Sequence, residues 1–424
     1  MLIAGTLLLP AGRDRVRLAL GQLLVRNGRL AEVAEGRSLG TPDLGSEQVL
    51  VSPGFVDAHV HLPQFDVIGF DGLPLLEWLQ TAVFPAEAKW ADAAFAGQMT
   101  TRVASRLIAS GTTAIAAYAT VHHAAALSAI AALDASGMRA IVGQVLMDQH
   151  APAELCRPAA QLLREAASLP GRGRVEPAVT PRFAVSCSGE LLEGAGRLAK
   201  STGWPVQTHL SETRGEVDLV ADLHGGLGYL EVYDRAGLLG ERSVLGHGIW
   251  LKESERARLA MTKSVVAHCP TANLFLQAGQ MSRAAATAAN IRIALGSDVA
   301  GGPDVCMVRV ARAMLDTAKR LRLDDPRISL IEPATAWWQI TSGNAAALGW
   351  SDSGSLVKGQ HADLVIIDPS IGPNAEPDWR SAPDPLSKLL YAWDERWISH
   401  TVVAGRMAFS SASTTWHPRP PASA

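Results

Sequence analysis

The feature that most constrains this chain is a run of eight short apolar segments, each closed by a polar residue and followed by an Ala- or Leu-rich amphipathic stretch. They are Leu50–His61, Thr112–Thr120, Ala140–Met147, Val175–Arg182, Pro205–Leu210, Val244–Ile249, Val265–Cys269 and Ile291–Ser297. Eight buried strands alternating with helices over about 250 residues predict a (β/α)8 barrel. An open doubly wound sheet is the alternative, and it is disfavoured because no G-x-G-x-x-G or P-loop follows the first strand.

Both flanks read as β structure. The first 49 residues alternate apolar and polar positions around Asn27-Gly28, the dipeptide that supplies the positive φ angles of a type I′ hairpin. Strands are expected again at Gly354–Gly359, Ala362–Asp368 and Ile398–Gly405. The prediction is therefore an α/β chain: a barrel over 50–350 and a small β-sandwich domain built from both termini, 1–49 and 351–424. A loose tail is expected from Thr414 to Ala424.

Composition removes other classes. The chain has 424 residues and a net charge of −3, with 48% of its residues hydrophobic and 19% charged. It can therefore bury a large core, and it has no basic footprint for nucleic acid. No stretch of about 18 uncharged apolar residues occurs, so no membrane span is expected. The apolar opening Met1–Pro10 has no basic segment before it and reads as a strand, not a signal peptide. Cys156, Cys187, Cys269 and Cys306 form no C-x-x-C pair, which fits a reducing cytoplasm.

The chemistry lies where histidines gather at strand ends. His59 and His61 stand two apart at the end of the first strand, so both imidazoles point to one face. His209 closes the fifth strand, His247 the sixth and Asp298 the eighth; in a barrel these ends converge on the C-terminal face. Three imidazoles and one carboxylate suit zinc, with iron(II) an acceptable substitute. We assign His59, His61, His209 and Asp298 as ligands. His247 is either a fifth ligand or a hydrogen-bond partner of the metal-bound water, and sequence leaves that choice open. Arg182, not lysine, closes the fourth strand, which argues against a carbamate-bridged pair of metals. Glu212, three residues after His209, is a proton shuttle in this reading; the plainer role of such a residue is a carboxylate at a helix N-terminus. His268 is expected to line or brace the site, His122 and His123 have no firm role, and Cys269 is a packing residue.

These residues resemble the amidohydrolase superfamily through Pro53-Gly-Phe-Val-Asp-Ala-His-Val-His61, the Gly-Ser-Asp298 strand end and the late Ala-Asp-Leu-Val segment. Within it the chain is similar to the guanine deaminases. That likeness rests on Pro74-Leu-Leu-Glu-Trp-Leu79, Phe84-Pro-Ala-Glu87, Thr180-Pro-Arg-Phe183, His209-Leu-Ser-Glu-Thr-Arg-Gly-Glu-Val217 and Gly296-Ser-Asp-Val-Ala-Gly-Gly302. The resemblance implies one zinc per chain at the ligands above, His247 beside the water, Glu212 as shuttle, and a purine held by Gln64, Trp78, Arg182 and Phe183. It also implies a homodimer. Arg182 carries its own argument: a guanidinium donates to a carbonyl oxygen and rejects an amino group in the same place. Gln64 offers an amide donor and acceptor to a purine edge. Small departures, Thr213 where Asn is usual and Ser297 where Thr is common, touch none of these roles. The H-x-E and P-C-x-x-C motifs of the other zinc deaminase architecture are absent. The expected reaction is hydrolysis of guanine to xanthine and ammonia. The rivals are a sister deaminase for 8-oxoguanine, cytosine or another amino-heterocycle, and a metal-free relative that kept the fold as a scaffold.

Overall fold

A computed structural model of the chain describes residues 1–12 and 14–412, so the tail expected beyond Thr414 lies outside the described residues. All eight central runs contain strands. Phe55–His61, Thr112–Tyr118, Arg139–Gly143 and Val175–Pro177 pair in chain order as one parallel four-stranded sheet. Val206–Leu210, Ser243–His247, Val265–His268 and Arg292–Leu295 form a second. A short parallel pair, Thr180–Pro181 with Val145–Leu146, carries the pairing past the third and fourth strands. Nearly every residue of these strands is buried, as parallel strands covered on both faces require.

The two parallel sheets touch along both edges. Gln207 N donates to Val179 O at 3.0 Å on one side; Asp298 N donates to His59 O at 2.8 Å and His61 N to Val299 O at 2.9 Å on the other. Between them lies a layer of small side chains, Ala58, Ala114, Ala116, Ala178, Ala267 and Ala294, packed with Val56, Ile141, Val244 and Val265. The other face of the strands packs against helices. Ala93–Ala109 is typical: Asp92 caps it by accepting from Ala94 N and Phe95 N, and its buried stripe runs Ala96, Met99, Val103, Ala104, Leu107 at helical spacing.

The chain ends build one seven-stranded sheet in the order Arg406–Ser410, Ile398–Val403, Leu364–Ile367, Leu44–Pro53, Leu2–Pro10, Val16–Arg26, Arg29–Glu35. Asn27 has a φ of 48° and Gly28 a φ of 73°, as the hairpin turn demands. Two readings are corrected. The run Leu50–His61 is two strands: residues up to Pro53 pair with Leu2–Pro10 and Leu364–Ile367, and Gly54 lets the chain pass to the parallel sheet, where a Cβ would meet Thr113 Oγ1 at 2.1 Å. The expected strand Gly354–Gly359 is a turn, bounded by glycines at φ of 82° and 90°, a backbone that glycine adopts at no steric cost. A strand at Arg406–Ser410 went unforeseen.

Candidate metal centre and substrate pocket

Three local devices aim the strand-end side chains inward. Val56 and Ala58 share the inner layer, so strict alternation would turn His59 and His61 outward; the pairing register slips between Asp57 and Val60, and this bulge moves both histidines to the inner face. His209 faces inward by alternation with the buried outward Leu210. His247 and Asp298 have left-handed backbones, with φ of 69° and 51°. Such angles are costly for residues with a Cβ, and they fall where the side chain must be re-aimed. Gly246 and Gly296 leave room for His59: a Cβ there would stand 2.7 Å from His59 Cε1 and 2.5 Å from His59 Cβ.

The cluster is tight. One donor atom from each of His59, His209, His247 and Asp298 lies within 4.8 Å of all the others, and all four residues are buried. His61 joins them, its Nε2 3.1 Å from His209 Nε2 and 3.2 Å from Asp298 Oδ1. His59 Nε2 is likewise 3.2 Å from Asp298 Oδ1. His209 Nδ1 donates to Arg182 O at 2.6 Å and His247 Nδ1 to Asn273 Oδ1 at 2.9 Å, so each ring turns its Nε2 lone pair to the centre. Both His59 ring nitrogens and His247 Nε2 are buried without a hydrogen-bond partner among the described residues. This donor set fits a transition metal.

Burial shapes the titration. It holds His61 down to about 3 and His209 well below the ordinary imidazole range, so both stay neutral, as metal-binding imidazoles must. Burial pushes Asp298 up, but the His59 and His61 rings at 3.2 Å, with His247 nearby, outweigh it and hold the carboxyl well below its usual range. Glu212 moves the other way, raised well above an ordinary carboxyl by burial and by the Asp298 charge. Its Oε2 is 3.4 Å from His247 Nε2, and its Oε1 has no partner among the described residues.

A cavity opens on this cluster, lined by Gln64, Leu75, Trp78, Leu79, Arg182, Phe183, Glu212 and Leu276 beside His61, His209, His247 and Asp298. Every substrate-holding residue expected from the sequence therefore borders one space. His268 does not: it is buried on the outer side of its strand and borders other cavities. His122 and His123 pair with Arg157 and with Gln144 and Ser168, away from the cluster. Sequence reading missed four supports. Asp57 accepts from His59 N, Ser297 N and Ser297 Oγ and so ties the first strand end to the last, its own carboxyl pushed up to about 6 by burial. Asn273 orients His247. Glu216 accepts from Glu212 N at 2.8 Å within a Thr213–Glu216 capping box, a T-x-x-E pattern legible in the sequence. Glu87 holds Arg182.

Fold and site together define a buried histidine–carboxylate metal centre at the strand ends of an α/β protein. The sequence matches the amidohydrolase family over residues 50–408, and the chain belongs to that family. It is 34% identical over 371 residues to a guanine deaminase of Escherichia coli (strain K12), covering 85% of this chain and 83% of that one. A crystal structure of guanine deaminase from C. acetobutylicum with bound guanine in the active site superposes with a TM-score of 0.89 at 28% identity, covering 96% of this chain and 99% of that one. An adenosine deaminase from Xanthomonas campestris with bound zinc gives a TM-score of 0.85 at 26% identity, covering 96% of this chain and 92% of that one.

Proposed function

We propose that this chain is a guanine deaminase, hydrolysing guanine to xanthine and ammonia at a single metal. The observation that carries the reading is the shared cavity: a metal-type cluster, a carboxyl with a raised pKa and a guanidinium border the same space. His59, His61, His209 and Asp298 would hold zinc, or iron in its place, with His247 a fifth ligand or a partner of the attacking water. Bound there, the metal would supply Lewis acidity that lowers the pKa of water to about 7.

The protein's own groups do the rest. Glu212 takes the proton from the attacking water; the water oxygen bonds to the ring carbon that carries the amino group. Glu212 delivers that proton to the adjacent ring nitrogen and then carries the proton of the newly added hydroxyl to the amino nitrogen; the carbon–nitrogen bond breaks, the carbon–oxygen bond becomes a carbonyl, and ammonia departs, with both protons of the one water accounted for. A raised pKa suits this exchange, because the carboxyl must both accept and release a proton near neutral pH. Arg182 donates to the six-oxo oxygen, Gln64 pairs with the purine edge, and Trp78 and Phe183 cover the ring.

The finer architecture belongs to the same proposal. The hydrogen bonds along both sheet edges support closure as a (β/α)8 barrel, with Asn344 bridging Val56 O and Leu295 O below the His59–Asp298 junction. A sandwich-like small domain from both termini is supported by Ile3, Leu7, Leu23, Val51, Leu364 and Val402, which cluster in one core apart from the helices. We place the barrel's start after Pro53 and keep the homodimer and the cytoplasmic setting as parts of this reading; four unpaired cysteines suit a reducing compartment. No helix among the described residues is long and apolar enough to cross a membrane.

The test is ammonia release and kcat/KM on guanine, 8-oxoguanine, cytosine, adenine and adenosine, beside metal analysis of the purified chain. Guanine should lead. Another substrate outrunning it would leave the metal chemistry standing and overturn the substrate.

A further inference from the structure

We infer that Glu87 is a positioning residue that fixes the donor and acceptor pattern of the pocket through Arg182 and Gln64; the inference rests on the deaminase reading above. Glu87 does not border the cavity. It sits behind it on the short helix Phe84–Ala88, with the side chains of Glu87 and Arg182 only 2% and 3% exposed.

Its carboxylate is shared between two pocket residues. Oε1 accepts from Arg182 Nη1 at 2.6 Å and from Gln64 Nε2 at 3.2 Å, and Oε2 accepts from Arg182 Nη1 at 2.8 Å. Both contacts to the guanidinium run through one nitrogen, so Nη2 and Nε lie outside the pair. One helical turn earlier, the Phe84 ring centroid lies 5.6 Å from Arg182 Cζ. The helix therefore grips the guanidinium at two points.

Two consequences follow for recognition. A buried guanidinium without a counter-charge would favour an anion in the pocket; with Glu87 beside it the wall is neutral, and a neutral base can be read by hydrogen bonding alone. Gln64 has a two-faced amide, and a carboxylate can only accept. Donating Nε2 to Glu87 sets the amide orientation and keeps Oε1 as an acceptor. The resulting pattern, an Arg182 donor with a Gln64 acceptor, matches a base edge carrying a carbonyl oxygen and an N–H.

The experiment is a double-mutant cycle on the metal-loaded full chain, reading kcat and KM for guanine and metal content for the parent, E87Q, R182M and E87Q/R182M. E87Q should lose about 10- to 100-fold in kcat/KM with metal content unchanged, because a charge-assisted hydrogen bond that orients the substrate's donor is lost. In the R182M background the same change should cost less than about 3-fold, since the main route through Arg182 is gone and only the longer Gln64 contact at 3.2 Å is left for Glu87 to act on. A merely structural role would lower stability without this non-additivity. Should E87Q fail to fold, E87L/R182M removes both buried charges and should stay within about 3-fold of R182M in kcat/KM, the remainder being the lost Gln64 contact. An E87Q enzyme as efficient as its parent, losses that multiply, or an E87L/R182M enzyme far below R182M overturns the inference alone. A parent inert on guanine overturns the deaminase reading and this inference with it.

Discussion

One layer apart along the same two strands, two polar clusters obey opposite rules. At His59 and Asp298 the side chains face one another with ring nitrogens that have no hydrogen-bond partner among the described residues. Three residues deeper, at Val56 and Leu295, Asn344 uses its whole hydrogen-bonding capacity: Nδ2 donates to Val56 O at 2.7 Å and Leu295 O at 2.8 Å, while Oδ1 accepts from Leu295 N and Gln339 Nε2. A buried polar group without a partner costs free energy, and folding tolerates that cost where something outside the chain completes the set. The deeper layer is finished by the protein. The upper layer carries the donor set of a metal site.

The difference can be broken by mutation, and the largest effect belongs to the upper layer. Asp298→Ala should remove bound metal and bring ammonia release below detection; an active, metal-loaded variant would show that the cluster is not the metal centre. Glu212→Gln keeps size and polarity but cannot take the water's proton, so kcat should fall on the order of 10²-fold or more while metal content stays near the parent's. Metal loss in that variant would move Glu212 into the ligand set. Arg182→Ala should lower kcat/KM for guanine by roughly 10- to 150-fold, again with metal retained.

The deeper layer should answer in stability, not in chemistry. Asn344→Ala leaves buried backbone groups of Val56 and Leu295 unpaired, a cost of about 3 kcal/mol in unfolding free energy. Activity per folded, metal-loaded molecule should stay within about 2-fold. The comparison fails if this variant loses turnover and keeps its melting temperature.

The smallest effect tests whether being at the strand end is enough to be in the site. His268 ends its strand at the same level as the ligands but faces outward, and burial pushes its pKa down to about 3. The folded state thus holds it neutral while the unfolded chain protonates it near the ordinary value of about 6.5. Its contribution is complete above about pH 6.5 and is lost as pH falls toward about 3. Comparing urea unfolding of the parent and His268→Leu, the gap between the two should change by roughly 1.4 kcal/mol per pH unit below about pH 6.5. A pH-independent gap would mean that His268 titrates normally.

Much of this was legible beforehand because it depended on local chemistry. The eight apolar runs announce strands whose backbone is covered on both faces, and H-x-H at a strand end places two imidazoles on one side. Asn27-Gly28 specifies its own turn. What stayed hidden were choices of face and partner. His268 is expected from sequence to line or brace the site because it ends a strand as His247 does; their opposite fates follow from alternation in one case and a left-handed backbone in the other. Glu87 stood in plain sight within Phe84-Pro-Ala-Glu87, yet nothing local tells a helix carboxylate that its partner lies 95 residues away.

The sequence by itself determined the parallel strands, the histidine and carboxylate types at their ends, and the guanidinium proposed to read the substrate. These are properties of residue type and short-range period, which the chain carries before it folds. Tertiary structure alone decided that a bulge after Asp57 turns His59 and His61 inward, that Gly246 and Gly296 clear space for the His59 ring, and that Glu87 meets Arg182 and Gln64. Each of those is a contact between distant segments, fixed by how the strands pack and register against one another, and no residue involved encodes it alone.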